Sequence, residues 1–250
     1  MEAYQHPHYY EIALAPTAPG REVDFFEAAI AKFSKTKVRR LFELGAGTAP
    51  YLEEWHRRGY NYTGLDLSPV MIEFARAKAE RLGIEASFVL GDMRELDRGL
   101  GPFDLAYILL GSLYVRSNRE LLDHLDRIAD LLPAGGLYLL DSVVWFRIFH
   151  EYQRSWARRK RGIIVHTRYR AEIIDSAAQT YHECLTMRVN DRGRNLVLTG
   201  RVPAKVFFPQ EFLCLIELSG RFEFIGWYND FNLAAEFKPE GRHVVVLRKR

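Results

Sequence analysis

Between Val38 and Ser142, short apolar runs alternate with longer stretches in which apolar residues recur every three or four positions. Val38–Leu44, Tyr60–Leu65, Ala86–Leu90, Phe103–Leu110 and Leu137–Asp141 have the length and composition of strands. The run FDLAYILL is almost wholly apolar, as a strand covered on both faces requires. The intervening stretches predict helices over Pro50–Arg58, Ser68–Leu82 and Asn118–Leu132. In the second of these, Ser68 can cap and Pro69 takes the first position. Met71, Ile72, Ala75 and Ala79 form the apolar stripe, Arg76 to Glu80 otherwise face water, and Gly83 supplies the stop. Strands alternating with helices predict a parallel sheet with right-handed crossovers.

Beyond Val143 the period changes. Trp145–Lys160 predicts a helix with a strongly basic end, and Ile163–Phe208 reads as several strands of period two. Asp191-Arg192-Gly193 is the best hairpin turn among them. A helix over Pro209–Ser219, stopped by Gly220, precedes two closing strands at Phe222–Trp227 and His243–Leu247. The expected fold class is therefore α/β: residues 1–143 and 209–250 form one doubly wound domain. Residues 144–208 form an inserted antiparallel lobe serving as substrate lid or dimerisation surface.

Composition changes this picture little. Of 250 residues, 48% are hydrophobic and 27% charged, which excludes a disordered chain. A formal charge of +3 is too small to argue for nucleic acid by itself. The one dense basic run is RSWARRKR, Arg154–Arg161, and a solvated helix end is its simplest reading. Cys184 and Cys214 show no metal-ligand spacing and are expected as buried free thiols. The N-terminal segment has no secretory pattern, and no apolar run reaches the roughly 20 residues that span a bilayer. A cytoplasmic protein without a membrane partner is expected.

The chemistry gathers in Glu43-Leu44-Gly45-Ala46-Gly47-Thr48-Ala49-Pro50, set between a strand and a helix. Glycines there let the backbone turn sharply and let a ligand approach the main chain. Asp66 ends the next strand, about 20 residues on, where an acid accepts the two hydroxyls of a ribose. Asp92 follows the third strand, in position to accept the amine of an adenine. All of these fall at carboxyl ends of parallel strands, where open α/β sheets bind ligands.

These stretches resemble the class I S-adenosylmethionine-dependent methyltransferases. LFELGAGTAPYL is similar to that family's first motif, GLDLSPVMIEFARAKA to its second and FVLGDMREL to its third. FDLAYILLGSLYV and LLPAGGLYLLDS are similar to its fourth and fifth strands, and the lobe resembles small-molecule N-methyltransferases. The resemblance implies a seven-stranded sheet with one reversed edge strand and S-adenosyl-L-methionine as cofactor. It implies that Glu43, Gly45, Ala46 and Gly47 surround the methionine part, Asp66 holds the ribose, and Leu67 and Met71 pack near the adenosine. Asp92 and Met93 would flank the adenine, with Leu109 and Gly111 beneath the sulfonium. Ala49 departs from the family's last glycine, a change of little cost if its backbone angles are ordinary. A nicotinamide dinucleotide is the competitor, but Pro50 at the sixth position removes a donor that a pyrophosphate needs.

No metal is required, because a sulfonium already makes its methyl electrophilic. For proton transfer and site closure the candidates are His8, Tyr9, Tyr10, Tyr114 and Asp141, with Tyr9 and Tyr10 as a lid over the cofactor. The expected partner is a small-molecule methyl acceptor, at nitrogen or oxygen. An RNA substrate held by Arg154–Arg161, a non-catalytic S-adenosylmethionine-binding scaffold and a homodimer stay open as alternatives, none of them favoured.

Overall fold

A computed structural model describes residues 2–147 and 152–250 of the chain. Helices α1 (Pro7–Leu14) and α2 (Pro19–Phe33) lead into β1 (Arg40–Leu44), α3 (Leu52–Arg57), β2 (Asn61–Asp66), α4 (Pro69–Leu82) and β3 (Ser87–Leu90). Then come β4 (Leu105–Ile108), α5 (Asn118–Leu131) and β5 (Leu137–Asp141). Four strands follow: β6 (Gln153–Lys160), β7 (Ile163–Asp175), β8 (Thr180–Asp191) and β9 (Arg194–Lys205). Helix α6 (Pro209–Ser219), β10 (Phe222–Asn229) and β11 (His243–Lys249) close the chain's order.

The larger sheet runs β10-β11-β5-β4-β1-β2-β3, with every pair from β1 to β5 parallel. Strand order reverses at β1/β4, the switch point where a crevice opens at the strands' carboxyl ends. Alternation along β1 sorts its side chains onto two cores. Phe42 and Leu44 join the core under α5 and α6, and Leu41 joins the one under α2, α3 and α4. The expected reversed edge strand is corrected here. It is β11 that runs antiparallel, and it lies one place in, between β5 and β10. The edge strand β10 runs with the parallel set.

Helix α4 follows its signals. The Ser68 hydroxyl accepts from the Met71 N–H at 3.4 Å, and Gly83 ends the helix at φ +65°. Lys78, expected on the wet face, is buried instead. Pro50 lies in the turn ahead of α3 rather than inside its first turn.

The second sheet, β6-β7-β8-β9, is antiparallel throughout. Its outer hairpins close on Arg161-Gly162 and Arg192-Gly193, both residues of each turn having positive φ, as two-residue turns matched to strand twist require. The helix expected over Trp145–Lys160 is therefore wrong for residues 153–160, which form β6; residues 148–151 lie outside the described residues. RSWARRKR has no apolar stripe to bury as a helix, and the Arg161-Gly162 turn folds it back on β7 as an exposed edge. Cys184 is half-buried and Cys214 is exposed on α6, so the expectation of two buried thiols holds for neither. Among the described residues no helix is long and apolar enough to cross a membrane.

Candidate functional site

The carboxyl ends of β1 and β4 open into a cleft lined by Tyr10, Glu43, Gly45, Ala46, Gly47 and Leu109. Gly45 and Gly47 have φ of +68° and +52°, which turns the loop away from the strand and bares its backbone. A methyl group at Gly45 would press on Ser112 at 3.3 Å, and one at Gly47 would face the Tyr10 ring at 3.9 Å. The loop is held from below by the Ala46 N–H donating to the Leu65 carbonyl at 2.9 Å. Gly64 allows that closeness: a methyl there would sit 2.8 Å from the Ala46 methyl. Ala49 turns at φ +47°, so the condition that made this alanine cheap is not met; the left-handed conformation costs about 1–2 kcal/mol.

Glu43 is buried, and the Tyr62 and Tyr107 hydroxyls both donate to its Oε2, at 2.5 and 3.0 Å. Its Oε1 accepts no hydrogen bond from the described residues. Burial pushes the Glu43 carboxyl up to about 7, against the pull of the two hydroxyls and Lys78. Asp66 accepts from the Gly47 N–H and the Ser68 N–H, each at 2.8 Å, so one carboxylate sets both the loop and the start of α4. Burial raises its pKa, and those backbone donors oppose the rise. A carboxylate has about four lone-pair positions, so both acids keep capacity for a ligand's donors. This donor set, with a bare-backbone cradle and two acids, fits an adenosine carrying a positively charged methionine tail.

The remaining expected residues divide. Leu67 is 64% exposed on the rim, an apolar surface open for a flat ring. Met93 is buried, and its methyl carbon would lie 3.5 Å from a Cβ at Gly45; its carbonyl is held by His124 Nδ1 at 2.9 Å. Burial lowers the His124 pKa to about 4 and keeps the ring neutral. Asp92 stands at the rim with Arg94 on both oxygens, Nε at 3.0 and 3.1 Å and Nη2 at 2.5 Å from Oδ2, which holds the carboxyl below its usual range. Gly111 turns at φ +70° beside the cleft; a methyl there would strike the Ser142 carbonyl at 3.0 Å. Met71 is buried in the first turn of α4 and does not line the cleft.

The tyrosine lid splits in two. Tyr10 lines the cleft, whereas the Tyr9 hydroxyl donates to Asp191 of the lobe at 2.9 Å and faces away from it. His8 is exposed to solvent on α1. Asp141 is fully buried and committed: it accepts from Arg242, from the Leu110 N–H at 2.7 Å and from Ser142 at 2.9 Å. It is a brace for the β4 loop, not a free base. Tyr114 donates to Glu183 of β8 at 3.1 Å, where lobe and sheet meet.

Residues 41–136 match a family model described as a methyltransferase domain. That stretch, holding the glycine turn and both acids, is similar to a methyltransferase domain. A protein of Geobacillus sp. (strain WCH70), provisionally named a methyltransferase, is 30% identical over 130 residues, 52% of each chain. The chain spans about half the length of the curated relatives it matches. Among solved structures, an S-adenosylmethionine-dependent methyltransferase from Clostridium acetobutylicum ATCC 824 superposes with a TM-score of 0.78 at 14% identity, covering 97% of this chain and 96% of that one. CalS10, an amino pentose methyltransferase from Micromonospora echinaspora solved with S-adenosylmethionine bound, gives 0.72 at 20% identity over 94% and 92%. Both similarities extend beyond residues 41–136 to the lobe and establish a shared fold.

Three buried or half-buried charged residues, Lys78, Arg242 and Glu183, were not singled out from the sequence. Lys78 donates to the Thr48 and Ala49 carbonyls at 3.2 and 3.0 Å and to Glu11 of α1 at 2.8 Å, tying the glycine turn to the N-terminal helix. Arg242 forks onto Asp141. Glu183 is a buried acid on the lobe's inner face. Period-two patterning of β8 places Glu183 among inward residues, and that was the available signal.

Proposed function

We propose that this chain is a cytoplasmic enzyme that moves the methyl group of S-adenosylmethionine to a small-molecule acceptor, at nitrogen or oxygen, by in-line displacement. The observation that carries this is the meeting of the Gly45–Gly47 cradle with Glu43 and Asp66 at the sheet's switch point. In this reading Glu43, Gly45, Ala46 and Gly47 hold the methionine part, and the free Oε1 of Glu43 faces its positive charge. Asp66 takes the ribose hydroxyls, Leu67 covers the adenine, Asp92 and Met93 stand at its edge, and Leu109 and Gly111 form the floor. S-adenosylmethionine, when bound, supplies a methyl group made electrophilic by its sulfonium. The chain's own task is then to align an acceptor and exclude water. Tyr10 closes one side, and the β6–β9 lobe forms the acceptor-side wall. The free cysteines accord with a reducing compartment.

The test uses S-adenosylhomocysteine in calorimetry. Asp66→Ala is expected to weaken its binding by about 1–3 kcal/mol, through loss of charge-assisted hydrogen bonds. Native-like affinity in the variant, or no binding by the unaltered protein, overturns the reading.

A further inference from the structure

Glu183 is a charge with no assigned task. It projects from β8 to the inner face of the lobe, 7% exposed, in an alternation whose other inward members there are Tyr181, Leu185 and Met187. Its Oε1 accepts from Tyr114, which follows β4 on the sheet side, at 3.1 Å, and its Oε2 from Tyr169 of β7 at 3.3 Å. Among the described residues no Lys, Arg or His pairs with it. A buried carboxylate without a cation is costly and is normally neutralised or paired. The groups facing it are aromatic and neutral: Tyr4 from the N-terminal turn, Tyr114, Tyr169 and Tyr181. Tyr4 packs at a tilt against Tyr10 with ring centres 5.4 Å apart, and the Tyr10 ring in turn faces Gly47. A continuous path of side chains thus runs from the cofactor cradle to Glu183.

An acid held by tyrosine hydroxyls, and joined through Tyr4 and Tyr10 to the glycine cradle, is the chemistry that recognises an organic ammonium. We propose that Glu183 is the negative pole of the acceptor site, and that the acceptor reaches it as a protonated amine. This rests on the methyl-transfer reading and adds the acceptor atom, nitrogen. The ammonium N–H groups dock on the tyrosine oxygens and the carboxylate, and one proton passes to Glu183, through Tyr114 where the hydroxyl intervenes. The nitrogen lone pair so released forms the new N–C bond as the carbon–sulfur bond breaks, with its electron pair staying on sulfur. Glu183 returns the proton to solvent when the site opens. Burial lifts the Glu183 carboxyl to about 7 against the pull of Tyr114, Tyr169 and Tyr4, so it can hold that proton near neutrality.

The experiment titrates the protein loaded with S-adenosylhomocysteine with three amines: an aminopentose methyl glycoside, an amino-acid amide and benzylamine. Each is compared with its hydroxyl twin by calorimetry. At least one amine is expected to bind tenfold or more tightly than its twin. Glu183→Gln is expected to bring that ratio near one while leaving S-adenosylhomocysteine affinity unchanged, and Tyr114→Phe to reduce it several-fold. Equal binding of every amine and twin, no binding of any probe, or an amine preference that survives Glu183→Gln overturns the proposal. Failure to bind S-adenosylhomocysteine would instead strike the methyl-transfer reading, so the two failures are distinguishable. If Glu183→Gln unfolds, Tyr114→Phe carries the decision: an unaltered ratio there overturns the proposal.

Discussion

At the residue scale, burial sets the charge state of Glu43, and the proposed cofactor site turns on it. A carboxyl at about 7 is half-protonated in the free protein at neutral pH. The ammonium of a bound amino-acid tail favours the ionised form, so binding should drive a proton off. Between pH 6 and pH 8 the ionised fraction of such a group rises about tenfold, and S-adenosylhomocysteine affinity should rise with it. Calorimetry at the two pH values checks this, and Glu43→Gln should flatten the difference. The placement of Glu43, Gly45 and Asp66 was legible in the sequence because it depends on neighbours along the chain: a strand end, a turn, a helix start. Tyr9 and Tyr10 were not separable, since which one meets the cleft depends on how α1 rolls against the lobe. Lys78 was misread for the same reason. Its burial is decided by Glu11 and by two carbonyls 29 and 30 residues away, not by its own helix.

At the element scale, the cradle depends on how closely the glycine turn can lie on β2. Gly64 is the floor of that contact. Gly64→Ala would set a methyl 2.8 Å from the Ala46 methyl and 3.0 Å from the Tyr62 hydroxyl, forcing the turn upward or Tyr62 aside. Overpacking of this kind costs about 1–3 kcal/mol. Urea denaturation should report that loss, and S-adenosylhomocysteine binding should weaken as Glu43 loses its Tyr62 partner. The alternating strands and helices of the large sheet were readable because each element carries its own period and punctuation, as in Ser68-Pro69 and Gly83. β6 was not. An exposed edge strand buries little on either face, so RSWARRKR has no period to read, and only the Arg161-Gly162 turn hints at the hairpin.

At the scale of the whole molecule, Arg242 joins parts distant in sequence. It forks onto buried Asp141 at 2.6–3.0 Å, reaches Glu22 of α2 at 3.3 Å and lies over the Phe231 ring at 4.5 Å. Glu22 also accepts from Tyr51, at 2.5 Å. Arg242→Met leaves Asp141 buried without its cation and should cost about 3–5 kcal/mol. Denaturant midpoints would show it, and adding Asp141→Asn should restore part of the loss, because the uncompensated charge is then gone. The two-sheet architecture could be foreseen from the change of period after Val143. The placement of the reversed strand could not, since strand order within a sheet is set by long-range pairing and leaves no local mark.

That placement governs when the large sheet can close during synthesis. Because residues 243–249 slot between β5 and β10, β5 keeps an open flank during synthesis until the ribosome has passed the whole lobe and delivered that segment. The nascent chain must keep the apolar β5, buried at every position once folded, from pairing with strangers while the lobe is still being made. A chain halted before His243 should therefore be recovered as aggregate rather than as a smaller working protein.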